Sequence, residues 1–172
     1  KSFFGVTVLR DISFSLEQAH ILGLIGENGA GKSTLMNIVG GVERADAGRV
    51  RLAGVDHAPK NPREATQLGV SFIHQELNLF TNLSITENIF IGGFPHLPGL
   101  PMINRQAIRA RARLMLEAVD LHVSPDTLVE KLSPGERQLV EIAKALHADA
   151  KLIIFDEPTT SLTARETERL FS

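Results

Sequence analysis

Apolar positions in this chain come in short blocks, cut apart by glycine, proline and acidic residues, and the blocks follow two different periods. Val8, Ile12, Phe14 and Leu16 fall on one side of a strand-like stretch, with an irregularity near Arg10 and Asp11. The apolar run His20-Ile21-Leu22-Gly23-Leu24-Ile25 reads as a strand, and Leu35-Met36-Asn37-Ile38-Val39 as the start of a helix. Arg49 to Leu52 reads as another strand, closed by Gly54, and Val70 to Ile73 as a further one. Leu152-Ile153-Ile154-Phe155, four apolar residues in a row, has the pattern of a buried parallel strand. Helical signals lie between these. Asn61, Pro62 and Gly69 supply an N-cap, a first-turn proline and a terminator. Ile85 to Ile91 looks helical, and Asn104 opens a long helix whose apolar side is Ile108, Ala112, Met115 and Val119. Leu139, Ile142, Ala143 and Leu146 form the stripe of an amphipathic helix. The Gly- and Pro-rich segment Gly92 to Pro101 is the clearest linker, and a lobe boundary is expected near it. The pattern predicts an α/β fold.

The strongest chemical signal sits where the second apolar run meets the first helix. Gly26-Glu27-Asn28-Gly29-Ala30-Gly31-Lys32-Ser33-Thr34 fits the P-loop pattern of a nucleoside triphosphate site. A strand that delivers a glycine-rich loop onto a helix N-terminus makes an anion cradle from free N–H groups and the positive end of the helix dipole. Gly29 and Gly31 let the backbone approach the phosphates, Lys32 reaches the β- and γ-phosphates, and the Ser33 hydroxyl ligates Mg²⁺. The bland alternative, an ordinary glycine-rich turn, does not explain Lys-Ser in register.

Hydrolysis also needs a carboxylate for the metal and a group that orients water. The strand 152–155 ends in Asp156 and Glu157, two adjacent carboxylates that are costly to bury without a cation or donors. Asp156 is the Mg²⁺-side residue and Glu157 the general base or water-positioner; alone, the pair could equally be a solvated turn. Leu132-Ser133-Pro134-Gly135-Glu136-Arg137-Gln138 reads locally as a capping box with a proline start. The same geometry can face a phosphate.

The order of these motifs resembles the nucleotide-binding domain of ABC ATPases, a P-loop NTPase fold with a mixed or parallel sheet core and a smaller helical lobe. The resemblance implies lobes of 1–92 with 149–172 and of 93–148, in a chain truncated at both ends. It implies ATP and Mg²⁺ as cofactors. ATP is held by Gly26, Asn28, Gly29, Ala30, Gly31, Lys32, Ser33 and Thr34, and the metal site includes Ser33, Gln75 and Asp156. Two such domains pack head to tail, so Ser133 and Gly135 would contact the γ-phosphate across the dimer. Gln75 matches the glutamine that senses metal and γ-phosphate and counts with Lys32 and Glu157 among the catalytic residues. Phe3 matches the aromatic that stacks on adenine, although it could equally be core.

The chain departs from the usual signature at Pro134 and Glu136, and has Thr163 where an aspartate is usual. A carboxylate at 136 adds negative charge near the partner's γ-phosphate unless it folds back onto the cap. These departures resemble the first ATPase domain of bacterial monosaccharide importers of the ribose, galactose and xylose type. The implied partners are a second ATPase domain, a transmembrane sugar permease and, indirectly, a periplasmic or extracellular sugar-binding protein. The implied location is peripheral, on the cytoplasmic face of the bacterial inner membrane. Docking to the permease would run through Gln75 to Asn82 and the helical lobe that follows, where Leu77, Leu79, Phe80 and Leu83 could line a groove or simply pack between lobes. All six histidines precede Asp156, so none matches the family's switch histidine; His74 and His147 read as surface or satisfied polar residues.

Composition adds limits. The 172 residues are 43% hydrophobic, enough for one real core. A formal net charge of −2 predicts no global pull toward nucleic acid, and the arginines at 105, 109, 111 and 113 read as a solvated face. No cysteine occurs, and no apolar run approaches the ~20 residues of a membrane span. The competing class is a soluble ABC-type ATPase acting on nucleic acid or ribosomes. A regulatory module without turnover and a small-molecule kinase leave Glu157 and the Ser133 motif unused.

Overall fold

The computed structural model describes residues 1–74, 78–94 and 103–156. The chain divides into two units, Lys1–Ser71 and Phe72–Ser172.

In the first unit, β1 (Ser2–Phe3) pairs antiparallel with β2 (Val6–Thr7), and β3 (Arg51–Leu52) with β4 (Val55–Asp56). Each hairpin turns on two residues of positive φ: Phe4 and Gly5 at 49° and 84°, and Ala53 and Gly54 at 50° and 80°. Such turns twist in the sense of their strands. Phe4 and Ala53 hide the signal, because the favoured residue at that position is Asn, Asp or Gly. Helix α1 spans Lys32–Val39 and α2 spans Pro62–Gln67. The α2 start is the expected one, with Asn61 accepting from the Glu64 N–H at 2.9 Å. A buried histidine, His57, donates from Nε2 to the Val39 carbonyl at 2.7 Å and so ties the β3–β4 hairpin to the last turn of α1.

Two expected strands are not formed among the described residues. Beyond Val8 and Leu9, whose N–H groups reach the Lys1 carbonyl at 3.0 and 3.1 Å, neither Val8 to Leu16 nor His20 to Ile25 joins a strand, and Ile21 and Ile25 stand 69% and 97% exposed. An apolar run reports the burial a segment seeks, whereas a strand requires a neighbour that takes up its N–H and C=O groups. No described strand lies alongside these runs. The strand expected from Arg49 shortens to β3, although the Val50 carbonyl still accepts from the His57 N–H at 2.9 Å.

The second unit holds the core. Strand β5 (Val70–Ile73) lies beside β6 (Leu152–Phe155), with three helices between them in sequence, a crossover of the kind that joins parallel strands. The Asp156 N–H donates to the Ile73 carbonyl at 3.0 Å. Helices α3 (Ile85–Phe90), α4 (Arg105–Ala118) and α5 (Pro134–His147) pack together, with a 3-10 turn at Val129–Lys131 before α5. Ile85, Phe90, Leu116 and Val140 are fully buried at their junction, each contributing roughly 1.5–3 kcal/mol of transfer free energy. Helix α4 seats Ile108, Ala112 and Leu116, spaced by four residues, while the expected Met115 and Val119 lie at the margin. On α5, Leu146 is 38% exposed and Val140 is the buried residue, because α5 packs on more than its expected stripe. The four arginines of α4 are exposed, and the Arg109–Asp126 pair at 2.9 Å is solvated at both ends, so it contributes little.

His74 is exposed and stacks on Phe72 with ring centroids 4.3 Å apart. His147 differs from its expected satisfied state. Its ring lies 4.3 Å from Phe90, and its buried Nδ1 has no partner among the described residues. Burial, and next the Arg111 charge, lower its pKa below the usual 6.5. The neutral ring is therefore favoured in the folded protein, and its stabilising contribution is complete above the unfolded value. It is lost as pH falls from there through the lowered folded value, where the unfolded chain binds the proton first. Thermal melts across that window should show a falling Tm, and His147→Phe should flatten this limb; an unchanged slope in the variant would exclude His147 as its source.

Candidate functional site

The P-loop is built by backbone conformation. Gly29 and Gly31 have φ of 81° and 89°, in the left-handed region. A Cβ on Gly31 would lie 2.7 Å from Leu9 Cδ2 and 3.1 Å from the Val8 carbonyl oxygen, so only glycine fits where the loop enters α1. Lys32 turns back over the loop and donates from Nζ to the carbonyls of Gly26 at 2.6 Å and Glu27 at 2.9 Å. Its ammonium thus sits at the loop's mouth. The first helical bond runs from the Leu35 N–H to the Gly31 carbonyl at 2.9 Å.

No side chain caps α1, and no acidic residue lies in its first turn. The other helices begin differently, with side chains of Asn61, Ser84, Asn104 and Ser133 accepting from their first-turn N–H groups. The leading N–H groups of α1, with the positive end of its dipole, are therefore open to an anion without competition from a capping side chain. A glycine-only entry, an adjacent ammonium and the exposed Ser33 hydroxyl fit a bound polyphosphate with its metal.

Ser133 and Asp156 belong to the second unit, whereas the P-loop belongs to the first. Asp156 is half-buried just past the end of β6. Ser133 is exposed at the N-cap of α5, Pro134 is at the first helical position, and Gly135 is buried. The Glu136 carboxylate folds back: its Oε2 accepts from the Ser133 N–H at 2.7 Å, and the Glu136 N–H returns to Ser133 Oγ at 3.2 Å. The acidic departure in the signature is thereby spent inside the cap. Beside it opens a hollow of about 480 Å³ lined by Asp120, His122, Ser133 and Glu136, among others. Phe3 is half-buried on β1, with the Lys1 ammonium 4.8 Å from its ring centroid. Gln75, Glu157 and Thr163 lie outside the described residues.

Sequence reasoning passed over Arg137, whose guanidinium bonds to carbonyls of the turn before α5. Its only signal in the sequence is a cation near the start of a helix, where the dipole disfavours one.

The reciprocal bonds of Ser133 and Glu136 make a direct test. Glu136→Ala should cost about 0.5–2 kcal/mol in urea unfolding, whereas Glu136→Gln should stay within a few tenths of wild type, since an amide oxygen serves the same box. Equal losses in both variants would mean that the charge, not the cap, matters.

A family model for ABC transporters matches residues 9–160. The chain is 44% identical over 171 residues to a ribose import ATP-binding protein of Clostridium perfringens, covering 99% of this chain and 34% of that protein. It is 47% identical over 171 residues to an arabinose import ATP-binding protein of Pectobacterium atrosepticum, covering 99% and 33%. The chain thus spans about a third of the length of the curated relatives it matches. Among solved structures, a nucleotide-free ATP-binding cassette from an ABC transporter superposes with a TM-score of 0.79 at 29% identity, covering 99% of this chain and 70% of the other. A dimeric, post-hydrolysis cassette bound to ADP and Pi gives 0.73 at 25%, covering 95% and 71%. With the family model spanning most of its length and the cassette fold shared across nearly all of it, this chain belongs to the ABC transporter family and is an α/β P-loop domain of the cassette type.

Proposed function

We propose that this chain is the nucleotide-binding part of an ATPase that drives import of a monosaccharide through a membrane permease. The carrying observation is the uncapped start of α1 behind Gly31, with the Lys32 ammonium at the loop's mouth. The names of the relatives supply the direction of transport and the sugar class: ribose, arabinose, and in a Pseudomonas syringae protein 45% identical over 172 residues, ribose, galactose or methyl galactoside. None of these names favours the nucleic-acid reading.

In this reading Gly26 to Thr34 cradle the ATP phosphates, Lys32 neutralises charge on the β- and γ-phosphates, and Phe3 packs on the adenine. Ser33, Asp156 and Gln75 hold Mg²⁺, which when bound withdraws charge from the phosphate oxygens. Glu157 orients and deprotonates the attacking water. Ser133 and Gly135 act across a dimer on the nucleotide held by the partner domain. The folded-back Glu136 supports this, because its carboxylate is engaged with the cap and not aimed outward.

The assembly comprises a second ATPase domain, the permease and, beyond it, a sugar-binding protein. Residues 93–148 form the helical lobe and the rest the catalytic core. Among the described residues no helix is long and apolar enough to cross a membrane, and we place the chain on the cytoplasmic face of the inner membrane through its permease. Half-exposed Phe80 supports docking near the segment after Gln75, whereas Leu79 packs against the core.

Two variants of the full-length subunit test this function. Lys32→Ala should weaken binding of a fluorescent ATP analogue by about tenfold or more, the scale of a lost charge-assisted contact. Unchanged affinity would remove the P-loop assignment. Glu157→Gln should retain binding while turnover falls by roughly 10²–10⁴-fold, trapping ATP in a stable dimer seen by size-exclusion chromatography. Hydrolysis near the wild-type rate would show that another group activates the water.

A further inference from the structure

The peptide group joining Leu132 to Ser133 is gripped at both ends from the first turns of α5. Its N–H donates to Glu136 Oε2 at 2.7 Å. Its carbonyl accepts from Arg137 Nε at 3.1 Å. The same guanidinium reaches the Val129 carbonyl through Nε at 3.2 Å and the Glu130 carbonyl through Nη2 at 3.0 Å. Three carbonyls of one tight turn thus converge on a single cation. Each is the negative end of a peptide dipole, and together they offset the penalty of a positive charge near a helix N-terminus.

The turn is fixed on its other side as well. The Val129 N–H donates to the Leu83 carbonyl at 3.0 Å and the Glu130 N–H to the Thr81 carbonyl at 2.9 Å, while the Val129 side chain is wholly buried. Arg137 therefore joins a turn anchored to the entry of α3 to a helix anchored in the core. What lies between the two anchors is Ser133, with φ −63° and ψ 161°. A peptide plane held at its N–H and its C=O has little freedom left, and the direction of the attached serine follows from it.

We propose that Arg137 is a positioning residue for Ser133, fixing the plane of the Leu132–Ser133 peptide so that the serine and the start of α5 keep one orientation. Its effect on turnover rests on the reading of Ser133 as the group that contacts the γ-phosphate across the dimer; its effect on the peptide does not. Lysine is a poor replacement. Nε and Nη2 lie on one rigid planar group and serve different carbonyls, whereas an ammonium on a flexible stem offers no such fork.

The experiment uses Arg137→Ala and Arg137→Lys in the full-length subunit, with amide hydrogen exchange and ATPase kinetics as the two readouts. Exchange at the Ser133 and Glu136 amides should quicken by about tenfold in Arg137→Ala, the scale of one lost charge-assisted bond, while amides from Val140 to Ala145 keep their protection. No change, or loosening of the whole helix, would overturn the positioning role. In the kinetic arm kcat should fall by about tenfold with KM for ATP within about twofold, the split expected of a group that orients and does not bind. Arg137→Lys should recover only part of the loss; full recovery would exclude the fork geometry. Adding Arg137→Ala to Ser133→Ala should cause no further loss, because Arg137 acts through that serine; losses that multiply would overturn the proposal. If Ser133→Ala alone leaves turnover intact, the γ-phosphate role of Ser133 fails, and the exchange arm still decides whether Arg137 holds it.

Discussion

A helix begins with N–H groups that nothing inside the helix can satisfy, and the way each start is answered organises this molecule. At α2, α3, α4 and α5 the answer is a side chain, from Asn61, Ser84, Asn104 and Ser133, and at α3 and α5 a glutamate returns the bond to the capping residue. At those four starts a first-turn N–H is answered within the chain. Helix α1 has no such side chain, and a loop of left-handed glycines leads into it. Among the described residues, the same electrostatic demand therefore produces two kinds of helix start, four answered by a side chain and one left uncapped.

The second unit shows how a polar framework can hold an apolar core in register. Asn88 is fully buried on α3, yet its groups are satisfied: it accepts from the Phe80 N–H at 2.8 Å and donates to the carbonyls of Phe80 and Ser84 at 3.0 and 2.9 Å. Next to it, the Ile85 N–H reaches the Thr127 carbonyl, and the Thr86 hydroxyl reaches that of Pro125. Segments far apart in sequence are thus tied at the entry to α3, and the chain leaving this knot runs directly into the turn that presents Ser133. A buried amide left with unpaired groups would cost about 1–3 kcal/mol for each, so this knot adopts its arrangement as a unit or not at all.

Features settled by a few neighbouring residues were legible in the sequence. The Asn61-Pro62 start, the Ser133–Glu136 box and the Asn104 cap depend on contacts within one turn, and all three form as read. The P-loop was equally plain, because Gly31 and Lys32 act through local conformation and reach. Features settled by distant partners were not legible. The runs before and after Glu17 have strand periodicity but no described ladder partner, and periodicity cannot supply one. Leu116 displaced Met115 from the core because the face of α4 that is buried depends on where α3 and α5 lie. His147 gave no warning of its partnerless nitrogen, since Phe90, which packs against it, is more than fifty positions away. Arg137 sits within a legible motif, yet its bonds run backwards to a turn whose shape depends on α3.

His57 carries one more implication. The Val39 carbonyl can only accept, so the 2.7 Å contact requires a proton on Nε2, while the buried Nδ1 meets no partner among the described residues. The ring is thereby bonded to the far end of the same short helix whose other end is the uncapped start behind Gly31. An eight-residue helix is about 12 Å long and moves as a rigid rod. The histidine ring and the glycine loop therefore lie at the two ends of one rod, and a single hydrogen bond fastens the β3–β4 hairpin to the element that the loop enters.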